Sequence, residues 1–165
     1  MIQGLLTTGI FSLADKIKLM KLENKVKKGN AEMDEYYKLM DIYTKARKFS
    51  ALDNLADNLL KISPHSSIAC GRKCLCLINI IQNKLKSGTE ISNIAEFANL
   101  KIYTKRGIDI IGPHDELAPF YRFDVGLIQY LYGYILKTEG DIENSIKFKE
   151  IGLKKVGDLS AFFPY

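Results

Sequence analysis

The sequence has no long hydrophobic run. No apolar stretch approaches the roughly 18 to 20 residues needed to cross a bilayer, which excludes an integral membrane protein. Proline is also sparse, 4 among 165 residues, glycine at 12 is no more than ordinary, and no tract is of low complexity. Collagen-like and linker-like chains are thereby excluded. Strand signals are almost missing, because valines are few and the one candidate for a period-2 run rich in Val, Ile and Thr is Gly107 to Gly112. The three cysteines, Cys70, Cys74 and Cys76, sit in one short stretch. An odd, clustered set is unlike a secreted disulfide framework and points to a reducing compartment. The first residues, Met1 to Leu6, show neither a positively charged leader nor a cleavage site, so the expected location is cytoplasmic.

Catalytic motifs are lacking too. There is no glycine-rich phosphate loop, no nucleophile elbow and no paired metal-binding helix motif. The expectation is a protein without enzymatic chemistry, cofactor or metal. His65, Cys70 and Cys74 could converge, but Cys76 points away from Cys74 on a helix, and a structural zinc site wants four ligands. Small thiols buried in helix packing are the preferred account of the cluster. In Pro113-His114-Asp115-Glu116, a proline and two carboxylates fit a helix start better than an acid–base pair.

What is present is an apolar content of 47%, ample for a packed core of one domain or at most two small ones. The net charge of +5 is local. Residues 1–30 hold six lysines against Asp15 and Glu23, while the other 135 residues carry 18 basic and 17 acidic side chains. A nucleic-acid binder spreads its positive charge over a face of the fold, so nucleic acid is not an expected partner.

Helical periodicity dominates, and the fold class expected is all-α with about seven helices. The first helix runs from about Phe11 to Lys28, with Leu6, Ile10, Leu13, Ile17 and Met20 recurring at spacings of four and three, Leu19 and Leu22 widening the apolar side, and Gly29-Asn30 as its stop. The second runs from about Ala31 to Lys48. Ser50 is expected to cap a third over Ala51–Ile62, closed by Ser63-Pro64. A fourth covers Ser67 to Leu85, and a fifth Ile91 to Lys105. Gly107 to Gly112 is expected to be a hydrophobic connector. The sixth helix runs from about Asp115 to Lys137, Gly140 turns the chain, and Asp141 caps a seventh that stops by Gly157. The apolar tail Ala161 to Tyr165 is expected to dock on the last hairpin. Short links of this kind make antiparallel neighbours. The organisation expected is a basic amphipathic segment, residues 1–30, that caps the helices after it, self-associates or contacts a membrane, ahead of a helical domain, residues 31–165.

The last hairpin carries a further pattern. Tyr132-Gly133 lies in one helix, Gly140-Asp141 at the turn, Ser145-Ile146 on the next helix and Gly152-Leu153 near its end. Small residues at Gly133, Ser145 and Gly152 let two helices approach closely. The segment Gly126 to Val156 resembles a tetratricopeptide repeat. Asp34 to Pro64 is similar, with Tyr36, Leu39, Met40 and Tyr43 followed by Leu52, Ala56 and Leu59, although Met40 stands where the family has a small residue. Ser67 to Arg106 fits loosely, because Leu85 to Ile91 lengthens its turn. The resemblance implies hairpins stacked as a short α-solenoid with a concave surface that holds a protein or peptide segment. It implies groove positions at Tyr37, Asp41 and Lys45, at Asn79, and at Tyr130, Tyr134 and Lys137. The basic and asparagine clamp that reads chaperone tails is absent, since Tyr37 and Asp41 stand in its place. Tyr130 and Tyr134 fit core or contact surface equally well, because Leu127, Leu131 and Ile135 can supply the buried face.

The expected function is a non-catalytic binding module. The alternative, from a different class, is an oligomeric or membrane-peripheral protein organised by residues 1–28, whose lysines and apolar stripe suit self-association or an acidic lipid surface.

Overall fold

The computed structural model describes residues 13–90, 93–112 and 121–157. They form seven α-helices and, among the described residues, no strand: α1 Leu13–Lys27, α2 Met33–Lys45, α3 Phe49–Ile62, α4 Ser67–Lys86, α5 Ala95–Ile111, α6 Arg122–Thr138 and α7 Ile142–Val156. None is long and apolar enough to cross a membrane.

Local chemistry sets most of the helix ends. The Glu35 carboxylate accepts the Glu32 N–H at 3.0 Å at the start of α2. Ser66 Oγ accepts the Ala69 N–H at 3.2 Å, and Asp141 Oδ1 accepts the Asn144 N–H at 3.2 Å, so α4 and α7 each begin on a side-chain cap. Gly140 has φ +89°, and the next N–H, of Asp141, returns to the Leu136 carbonyl at 2.9 Å. That left-handed residue reverses the chain between α6 and α7 as the sequence led one to expect. The turn after α2 uses Arg47 in the same region, at φ +53°.

Two expectations fail at helix boundaries. Ser50 is not a cap, because α3 already begins at Phe49. Gly107 to Ile111 is not a connector but the end of α5, which starts later than expected, at Ala95. Gly107 serves as a contact there: a Cβ on it would lie 2.8 Å from Ile128 Cδ1 of α6. The stop comes at Gly112, with φ +56°. The expected start of α6 at His114, Asp115 and Glu116, and the tail at Ala161 to Tyr165, lie outside the described residues.

The chain divides into two compact units, Met1–Leu55 and Ala56–Tyr165, and the divide falls inside α3. The boundary expected at residue 30 lies within the first unit. In that unit α1 packs on α2. Leu19 is its buried anchor, and Tyr36, Leu39, Met40, Leu52 and Leu55 are buried beyond it. The face of α1 that docks is the one carrying Leu19. Leu13, Ile17 and Met20 are 75%, 47% and 41% exposed, whereas Leu19 is buried with Leu22 and Val26 half-buried.

In the second unit α4 packs on α5 and α6, and α6 packs on α5 and α7. Every residue from Ile68 to Ile78 on α4 is buried. The tightest crossing joins α6 to α7. A Cβ on Gly152 would stand 2.6 Å from the Gly126 carbonyl oxygen and 2.6 Å from the Tyr130 nitrogen, both backbone atoms. Gly133 and Ser145 are buried on the same two helices.

Candidate binding surfaces

On α1, Asp15, Lys18 and Leu22 follow each other at helical spacing; on α2, Lys38, Asp41, Ile42 and Lys45 do the same. The two sets face each other across an open groove within the first unit. Leu22 and Ile42, both half-buried, are its apolar lining, and three lysines and two aspartates make up the rest. The hairpin that holds it is fastened by polar contacts. Tyr43 donates its hydroxyl hydrogen to Glu23 at 2.7 Å, and Lys25 meets Glu35 at 2.5 Å. Burial, reinforced by the Glu23 carboxylate, pushes the Tyr43 hydroxyl well above its ordinary range. The Lys25 hydrogen bond holds Glu35 below the usual carboxylate value, and Glu35 in turn raises Lys25.

A second surface lies on the other unit. Phe97 of α5 and Tyr134 of α6 meet edge to face, ring centroids 5.9 Å apart at 88°. The Lys101 ammonium stands 5.5 Å from the Phe97 centroid, one turn along α5. Partial burial raises the Tyr134 hydroxyl.

The sequence-derived groove positions therefore divide. Asp41 and Lys45 line the α1–α2 groove; Tyr37, on the same helix, is half-buried and outside that lining. In the second unit, Tyr134 is half-buried in its contact with Phe97, Lys137 is exposed three residues further on, and Asn79 is half-buried on α4. Tyr130 is different. At 1% exposure its side chain belongs to the core, against the α7 crossing at Gly152, and offers no ring to a ligand. Sequence reasoning missed Lys18, Lys38 and Ile42, and also Phe97 with Lys101. The spacing of Lys38, Asp41, Ile42 and Lys45 was the available signal for the first group.

The polar interior of the second unit is a structural network. Arg72 reaches Asp124 with two hydrogen bonds, Nε to Oδ1 at 2.8 Å and Nη2 to Oδ2 at 3.1 Å, and both side chains are buried. A Cβ on Gly71 would lie 2.8 Å from Asp124 Cβ, so α4 and α6 approach closely beside the pair. Lys73 binds Asp57 at 3.0 Å. The three cysteines are unoxidised and buried. Cys74 Sγ lies 3.6 Å from Thr104 Oγ1, and burial pushes its thiol up to about 12. Among the described residues no three His, Cys, Asp or Glu side chains are placed to share a metal ion.

Comparison with protein-family models, with curated proteins and with solved structures gives no match.

Proposed function

We propose that this chain is a non-catalytic interaction module that binds a peptide or protein segment in the α1–α2 groove. The observation that carries the proposal is the meeting there of Leu22 and Ile42 with Lys18, Lys38 and Lys45, where Asp41 and Lys45 had been singled out by sequence. An apolar lining with flanking cations suits a segment that presents an aliphatic or aromatic anchor next to an acidic side chain. Asp15 and Asp41 at the edge disfavour a ligand that is acidic throughout. Within the second unit, whose last hairpin is similar to a tetratricopeptide repeat, the buried Arg72–Asp124 pair fixes the register of α4 on α6.

The test is selection from a displayed peptide library on the full chain, repeated on a Lys38→Glu, Lys45→Glu variant. Peptides with an apolar residue beside an acidic one should be enriched, and the variant should bind them at least about tenfold more weakly. Equal binding by both proteins, or enrichment of no sequence class, would contradict the assignment.

A further inference from the structure

Helix α1 has two apolar faces, and the fold uses one of them. At ~100° per residue, Leu19, Leu22 and Val26 share one side of the helix, whereas Leu13, Ile17 and Met20 fall within about 60° of arc on a side turned well away from it. The first face docks on α2 through the buried Leu19. The second projects outward, at 75%, 47% and 41% exposure. Lysines run along both its edges: Lys21 and Lys28 on one, Lys16 and Lys27 on the other. Of the two carboxylates on the helix, Asp15 lies across from the stripe, on the groove side, and Glu23 is held by the Tyr43 hydroxyl at 2.7 Å. The same spacing of apolar residues continues backwards in the sequence through Ile10 and Leu6.

We infer that this face of α1 is a docking site for an anionic phospholipid surface, a role separate from the groove on its other side. Three features select that occupant. The apolar side chains protrude rather than line a recess, which suits a plane and not an extended peptide. Cations on both edges are placed to meet headgroup phosphates while the stripe enters the acyl boundary. A second copy of the chain is disfavoured, because pairing the stripes would set lysine rows against lysine rows.

The chain has no tryptophan, so Met20→Trp introduces a single reporter at the stripe without touching the docked face. Vesicles of phosphatidylcholine alone, and of phosphatidylcholine mixed with phosphatidylserine, are the probes. The expected result is a blue shift of the indole emission in Met20→Trp, and flotation of the unsubstituted full chain, with the phosphatidylserine vesicles alone. Binding should weaken as salt rises, and by at least about tenfold in Lys21→Glu, Lys28→Glu. It should be lost in Ile17→Ser, Met20→Ser, whose positions are exposed, with the circular dichroism spectrum unchanged as the control for folding. Four outcomes would overturn the inference: no binding to either vesicle, equal binding to both, binding that survives in Ile17→Ser, Met20→Ser, or a dimer of the native chain that this variant turns into a monomer.

Discussion

The two hairpins at the ends of the described chain are built on different principles. In α6–α7 the contact is made by what is missing: with no side chain at Gly126 or Gly152, backbone meets backbone across the crossing. In α1–α2 the contact is made by side chains, Leu19 in the interface and the Tyr43–Glu23 and Lys25–Glu35 pairs around it. Close backbone packing leaves no open seam between α6 and α7 at that point. Side chains hold α1 and α2 further apart, and the opening between them is the groove. The open groove thus lies on α1–α2, the less repeat-like of the two hairpins.

Substitutions in the two units should have unequal effects. The largest effect should come from Asp124→Ala, which strands the Arg72 guanidinium in the interior of the second unit. Urea denaturation should show a loss of about 3–5 kcal/mol. Next is Gly152→Ala. Its Cβ meets backbone atoms of α6 that cannot move aside as a side chain can, so the expected loss is about 2–3 kcal/mol by the same measurement. Leu19→Ala should cost about 2 kcal/mol and act on the first unit, so hydrogen exchange should quicken in α1 and α2 while α6 and α7 keep their protection.

A smaller effect is expected from pH. The buried Cys74 thiol, pushed up to about 12 in the fold, ionises first in the unfolded chain, at its ordinary value of 9.0. Stability from this group is therefore complete below about pH 9 and is lost progressively as pH rises towards about 12, by roughly 1 kcal/mol per pH unit. The fall in urea midpoint between pH 8 and pH 10 should be smaller in Cys74→Ser than in the native chain.

Features fixed by neighbouring residues were legible in the sequence. Gly140 and Asp141 announce the end of one helix and the start of the next, and the thiol cluster announces a buried α4. Features fixed by distant contacts were not. Gly107 looks like punctuation in one dimension, but Ile128 on α6 turns it into a packing position inside α5. On α1 the stripe through Leu13, Ile17 and Met20 is the more regular of two, and periodicity alone does not say which stripe α2 covers. Tyr130 was balanced between core and surface until the Gly152 crossing placed its backbone against α7. The groove itself needed two helices in register, and Lys18 and Lys38 acquire meaning only when Leu22 and Ile42 stand between them.

The most direct test of the central claim is a residue-resolved amide titration of the isotope-labelled full chain with a library-selected peptide. If the α1–α2 groove is the binding surface, shifts will concentrate at Lys18, Leu22, Lys38, Asp41, Ile42 and Lys45, with the amides around Phe97 and Tyr134 unmoved. Shifts centred on Phe97, Lys101 and Tyr134, with the groove amides silent, would contradict it.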